Sequence, residues 1–152
     1  MRTVDRVAIR APLERVFEAA VQVERWPRIL SHYRFVRFLD RRDGGGTVEM
    51  AAWRPFGPLR YPTWWVSEMT VDRPAREVRY RHVRGITAGM DVVWRVAADG
   101  AHVAVTIVHE WRGPAWPLIG PLAADLVIGP VFIHGIAART LAGLKRYSEG
   151  ES

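Results

Sequence analysis

Polar and apolar positions alternate along residues 3–10, with Asp5, Val7 and Ile9 on one side and Val4, Arg6 and Ala8 on the other. This period of two predicts a first strand. At Ala11-Pro12-Leu13-Glu14 the period changes. Proline at a first helical position presets φ, and Val16, Phe17, Ala20, Val21 and Val23 form a helical stripe that stops before Trp26-Pro27. A short second helix is predicted over 27–30. Alternation then resumes as six strands, over 33–41, 47–54, 63–72, 76–84, 90–97 and 102–112. They are separated by Asp43-Gly44-Gly45-Gly46, a proline-rich loop, Pro74-Ala75, the turn at 85–89 and Asp99-Gly100. A last helix is predicted over 130–148, with Pro130 at its start, Lys145 and Arg146 in its last turns and Gly150 beyond. No internal repeat or linker interrupts the pattern, so residues 1–152 read as a single domain. With helices at the two ends of the chain, a seven-stranded antiparallel sheet buries one face most economically by wrapping around the C-terminal helix, an α+β architecture with a cavity between them.

Composition narrows the class. The chain has 152 residues, 49% hydrophobic and 25% charged, which suits one globular domain with one core. It has no cysteine, which excludes disulfides and thiolate metal sites. The formal net charge of +6 would suit nucleic acid or an anionic membrane. However, Arg34, Arg37, Arg41, Arg73, Arg79 and Arg81 alternate with apolar residues, as on the solvated side of an amphipathic sheet, and no nucleic-acid-binding motif accompanies them. Nucleic acid is therefore not an expected partner. No apolar stretch follows the first residues, so no signal peptide is read and a cytoplasmic location is expected by default. Residues 113–138 carry a single charge, Asp125, but Pro114, Pro117, Pro121 and Pro130 break any spanning helix. They read as a packed lid or core segment, or alternatively as a cavity rim that docks on a membrane or partner.

Val7-Ala8-Ile9-Arg10-Ala11-Pro12-Leu13-Glu14-Arg15-Val16-Phe17 followed by Trp26-Pro27 resembles the opening of START-like helix-grip (SRPBCC) proteins, a superfamily that binds hydrophobic ligands. Trp64-Trp65-Val66-Ser67-Glu68, with Val78-Arg79 and Met90-Asp91-Val92-Val93-Trp94 after it, is similar to the polyketide cyclase/dehydrase branch, in particular aromatase/cyclases of the tetracenomycin type. The resemblance implies a helix-grip fold and a pocket in which a flexible poly-β-ketone undergoes aldol cyclisation and loses water. It implies that Trp26, Leu30 and Tyr33 line the mouth or wall, that Trp65, Ser67 and Met69 point inward from one strand, and that Met90 and Trp94 join them. Met69 is a departure, because the cyclase pattern has an arginine there that would bind a ketone oxygen or enolate.

Strand parity puts His82 with Val78 and Tyr80 on the apolar side, and His109 with Val105, Ile107 and Trp111. Either histidine reads as a proton shuttle or as a hydrogen-bonded structural group. His134, among Phe132, Ile133 and Ile136, is the candidate from the helix, whereas His32 and His102 sit at element edges and are expected in solvent. Tyr33 and Ser67 read as partners that orient a carbonyl. Ser67 lacks the setting of a nucleophile. Tyr33, Ser67, His82 and His134 are thus the catalytic candidates, with Trp26, Leu30, Trp65, Met69, Tyr80, Met90, Trp94 and His109 as ligand-binding ones. No His-x-x-x-His or carboxylate–histidine spacing occurs, so neither a metal nor another cofactor is expected. Two functions remain open: a polyketide cyclase or dehydratase, and a non-catalytic carrier of a lipid, isoprenoid quinone or sterol-like molecule. The partner is a hydrophobic small molecule, with an acyl carrier protein or a membrane surface as the further candidates.

Overall fold

The computed structural model describes residues 1–56, 58–85, 87–112 and 133–150. Strand β1 (Arg2–Ile9) leads into helix α1 (Leu13–Val21), a single 3-10 turn (Val23–Arg25) and helix α2 (Trp26–Ile29). Strands β2 (Tyr33–Arg42), β3 (Gly45–Phe56), β4 (Leu59–Asp72), β5 (Glu77–Gly85), β6 (Asp91–Asp99) and β7 (His102–Glu110) follow, and helix α3 (His134–Ser148) ends the order. The seven strands form one sheet in the order β1-β7-β6-β5-β4-β3-β2, each neighbouring pair antiparallel. A meander from β2 to β7 is closed by β1, which returns beside β7. Helix α3 lies against β1, β3, α1 and α2. This is the expected α+β helix-grip arrangement.

Alternation decides which face is inside. In β5, Val78, Tyr80 and His82 are buried while Arg79 and Arg81 are exposed, and in β1 Asp5 and Ile9 turn inward. Helix α1 buries Val16, Phe17, Ala19 and Ala20, each large apolar side chain contributing about 1.5 to 3 kcal/mol by leaving water. Pro12 sits one residue before the helix as its N-cap. Two glycines stand where elements approach closely. Gly45 has φ 157°, and a Cβ there would collide with the Met69 carbonyl across the β3–β4 ladder. Gly143 lets α3 approach Leu30, whose side chain a Cβ would strike.

One sequence expectation fails in the fold. The proline-rich stretch between β3 and β4 is not a loop: the ladder continues through Trp53↔Pro62, Arg54↔Tyr61 and Pro55↔Arg60 to Phe56↔Leu59. Strand β2 pairs no further along β3 than Ala52, and β5 no further along β4 than Trp65. Beyond these positions the ribbon has no outer strand partner among the described residues, so the missing proline N–H costs no ladder bond there. Of the apolar stretch 113–138 and the helix start expected at Pro130, residues 113–132 lie outside the described residues. No helix among the described residues is long and apolar enough to cross a membrane.

Candidate functional site

Between sheet and α3 lies a cavity of about 60 Å³. Trp26, Tyr33, Trp65, Tyr80, His82, Trp94 and His109, all expected at a pocket, line it, and Thr140 comes from α3. The aromatic rings form a continuous wall. Trp26 meets Tyr33 edge-on at 5.2 Å between centroids and Trp94 at 5.4 Å. Tyr33 meets Trp65 edge-on at 6.2 Å, and Trp65 stacks on His82 at 5.7 Å with 2° between planes. The Trp26 Nε1–H is held by the Ala19 carbonyl at 3.0 Å, which ties the wall to α1. A second void of about 40 Å³ adjoins the first, with Trp65, His82 and His109 on the border of both and Met90, Thr87 and Ile136 behind them.

Strand register puts the polar groups together. Ser67 on β4 faces His82 on β5 directly, and Val92 on β6 faces both Tyr80 and His109. His82 Nδ1 lies 2.7 Å from the Thr87 hydroxyl. Six buried side-chain polar atoms have no hydrogen-bond partner among the described residues; the Tyr80 hydroxyl and His109 Nδ1 belong to lining residues and Ser67 Oγ lies beside the wall, whereas those of Thr3, Asp5 and Ser148 lie away from the cavity. Burial depresses the His82 pKa to about 3, and the neighbouring His109 adds to the effect. Burial takes His109 to about 4. Tyr33 is pushed up by burial despite the Thr140 hydroxyl beside it, and Tyr80 by burial and then by Tyr33. All four are therefore uncharged at neutral pH, and no charged side chain is among the described residues that line the cavity. The described lining residues offer hydrogen bonds and aromatic surface without ionic attraction.

Other expected residues lie elsewhere. Leu30 is core under α3. Met69 is 3% exposed on the inner face, further along β4 than the cavity wall. Met90 borders the second void only. Ser67 is fully buried, beside the wall through its pairing with His82. His134 does not reach the cavity: its side chain is 63% exposed and pairs with the buried Asp5 on β1, because the first turn of α3 overhangs the β1 edge of the sheet. His32 reverses its expectation. It is buried, with Nε2 3.0 Å from Thr140 Oγ1, because α3 covers the end of β2. Sequence reading missed both His32 and Thr140. Thr140 shares a helical face with Ala137, Leu141 and Leu144, all buried, a spacing that would have pointed it inward.

The family described as "Polyketide cyclase / dehydrase and lipid transport" matches residues 9–128. The chain belongs to this family. A fellow sequence, the actinorhodin polyketide synthase bifunctional cyclase/dehydratase of Streptomyces coelicolor, is 30% identical over 112 residues, 72% of this chain. The cyclase-family chain spans only 34% of that relative's length. A putative polyketide cyclase of Streptomyces halstedii is 34% identical over 94 residues, 60% of this chain and 84% of the relative. Among solved structures, the Zhui aromatase/cyclase of Streptomyces sp. R1128 superimposes with TM-score 0.80 at 19% identity, covering 98% of this chain and 93% of that one. A START superfamily protein of Mycobacterium smegmatis gives 0.68 at 15%, covering 98% and 97%. These structural likenesses establish the helix-grip fold.

Proposed function

We propose that this chain encloses an uncharged small molecule of polyketide type, aromatic or poly-carbonyl, and promotes its ring closure or dehydration inside the cavity. The observation that carries this reading is the set of unpartnered buried atoms, Ser67 Oγ, Tyr80 hydroxyl and His109 Nδ1, beside an aromatic wall. Each such orphan costs roughly 1 to 3 kcal/mol. A ligand whose carbonyl accepts from Tyr80 recovers that cost at the cavity wall.

In an intramolecular aldol step an enol carbon attacks a ketone carbon, a C–C bond forms, the enol proton leaves and the new alkoxide takes one up; water is lost afterwards. His82, neutral at pH 7, is the candidate shuttle. With its pKa near 3 in the closed cavity it is a weak base. Holding the chain in one fold therefore supplies the larger share, out of the roughly 7 to 11 kcal/mol that proximity and orientation make available. Since a cavity of about 150 Å³ accommodates one benzene ring, and the voids of about 60 and about 40 Å³ together fall short of it, a bound ring requires the cavity to widen as well as the two voids to merge across the border formed by Trp65, His82 and His109.

A carrier function is the second reading. It is supported by the absence of a charged side chain among the described lining residues and by Met69 where the cyclase pattern has arginine. An acyl carrier protein is the partner that fits the enzymatic reading, and a membrane surface the one that fits a carrier. Native mass spectrometry of protein from its own host, paired with turnover of a linear poly-β-ketone, tests them. Retention of an aromatic polyketide, with turnover falling about 10²- to 10⁴-fold in His82→Ala, supports the enzyme. A retained long-chain lipid without turnover favours the carrier. A cavity that retains neither and binds neither overturns both.

A further inference from the structure

The chain between β5 and β6 folds back onto β5 and holds His82 from several sides. The His82 N–H donates to the Met90 carbonyl at 2.9 Å, and the Gly89 N–H donates to the His82 carbonyl at 2.8 Å. The Met90 N–H donates to the Thr87 carbonyl at 3.1 Å, and the Trp111 Nε1–H, from just beyond β7, donates to the Ala88 carbonyl at 3.1 Å. Thr87 therefore turns inward from the turn at 85–89: it is 3% exposed, and its hydroxyl lies 2.7 Å from His82 Nδ1. Trp65, stacked on the imidazole with 2° between planes, bounds the ring on one face.

Either group could bring the proton to the Thr87–His82 bond, and counting donors decides which. A threonine hydroxyl has one proton, and the only hydrogen bond this hydroxyl makes among the described residues is the one to His82 Nδ1. If Nδ1 carried the proton, the Thr87 proton would be buried with nothing to accept it. With Thr87 donating, Nδ1 is a bare acceptor and the neutral ring holds its proton on Nε2. Burial, and then His109, keep the ring neutral by holding its pKa at about 3. Thr87 borders the second void alone, whereas the His82 ring borders both. Nε2, across the ring from Nδ1, has no hydrogen bond among the described residues and is left for a ligand.

We infer that Thr87 is a positioning residue that fixes His82 as a neutral donor through Nε2–H, so that His82 holds the ketone oxygen and does not take the enol proton. As the enol carbon attacks the ketone carbon, the carbonyl π pair moves onto the oxygen that Nε2–H holds. The proton lost from the enol oxygen ends on that same oxygen, and His82 keeps its own proton throughout. A neutral imidazole whose pKa is held down suits this role, because it polarises a carbonyl without carrying charge. His82 stands one inward-facing pair along the β4–β5 ladder from Met69, where the cyclase pattern has its oxygen-binding arginine. The shuttle role of His82 is thereby narrowed to donation. This inference rests on reading the cavity as the site of ring closure.

In the ligand-free parent at neutral pH, ¹⁵N NMR of the His82 ring finds the Nε2–H tautomer. Thr87→Ser keeps it, and Thr87→Val gives a mixture of tautomers. Turnover of a linear poly-β-ketone reads the same bond: kcat falls about tenfold in Thr87→Val with KM little changed, and Thr87→Ser restores it. His82→Gln separates a donor from a base, since an amide donates but takes up no proton at neutral pH. It keeps at least about a tenth of the parent kcat, against a loss of about 10²- to 10⁴-fold in His82→Ala. An Nδ1–H tautomer in the parent, an undiminished kcat in Thr87→Val, or a folded His82→Gln as slow as His82→Ala overturns the inference and leaves ring closure standing. A parent that shows the Nε2–H tautomer and turns over no polyketone overturns the enzymatic reading, and the catalytic role of His82 with it.

Discussion

On the outer face of the sheet Arg79 and Arg95 share Glu77, Arg81 pairs with Asp91, and Arg37 with Glu49. One residue away, on the inner face, Ser67, Tyr80 and His109 each hold a buried polar atom with no partner among the described residues. The outer groups are satisfied and hydrated, so each is worth little to stability and the excess of arginine is locally neutralised. The inner groups are costly and unsatisfied. A face that needed only to fold would carry valine or phenylalanine at those positions. The same strands therefore spend stability on one side only, and that side encloses the cavity.

The largest test of this contrast puts one side chain on each face. Met69→Arg brings a guanidinium to a 3% exposed position, whereas Thr70→Arg adds one to an exposed position on the same strand. An uncompensated buried charge costs on the order of 3 to 5 kcal/mol, and the exposed one less than about 0.5 kcal/mol. Urea denaturation of the two variants measures the difference. Equal midpoints would mean that the inner face accommodates a cation at the position where the cyclase pattern has arginine, and the contrast between faces would fail.

The parity of β4, β5 and β7 made the cavity wall legible. In β5 the alternating arginines fix the outer face, so Tyr80 and His82 must turn inward, while Trp65 shares parity with Ser67 and Met69 on β4 and His109 with Val105 and Ile107 on β7. Element order and the motifs around Pro12, Trp26 and Ser67 led to the same fold and family. What was not legible depends on packing between distant elements. His32 lies beyond the last regular residue of α2 and looks like an edge residue until α3 is laid over it. His134 has apolar neighbours in sequence, yet the path of α3 carries it over the β1 edge to Asp5. The β3–β4 ribbon defied its prolines because outer neighbours, which local sequence does not reveal, decide whether a missing N–H matters.

A second test uses pH, since only the inner face carries displaced histidines. His82, His109 and the buried His32 have folded pKa values of about 3, about 4 and about 4, below the ordinary 6.5. Below 6.5 the unfolded chain binds protons that the folded chain refuses, so stability is full above that value and is lost as pH falls toward the folded values. Between about pH 7.5 and about pH 5 each histidine should cost on the order of 2 kcal/mol. Burial moves the other way at Asp5, raising its pKa. Glu49, Glu77 and Glu149, lowered chiefly by hydrogen bonds, contribute only at more acidic pH. Urea midpoints across this range should fall steeply for the parent and about two-thirds as steeply for His82→Gln, since His32 and His109 still contribute. An unchanged slope in that variant would show that His82 is protonated in the folded state and that the inner wall is wetter than its burial implies.

The smallest expected effect is also the sharpest, because it compares adjacent residues on β5. Tyr80→Phe deletes an unpartnered buried hydroxyl and leaves the ring, so stability should stay level or rise by up to about 1 kcal/mol. Binding of a ligand that accepts from Tyr80 should weaken about tenfold. Arg81→Ala removes an exposed partner of Asp91, with side-chain exposures of 65% and 52%. It should lower stability by less than about 0.5 kcal/mol and leave affinity unchanged. Thermal unfolding and calorimetry on the pair give opposite signs for stability and an effect on affinity from one variant alone. If Tyr80→Phe instead loses stability and keeps affinity, its hydroxyl is satisfied by water in the free protein. The inner face would then be a hydrated core, with only His109 and Ser67 left unpartnered beside the cavity.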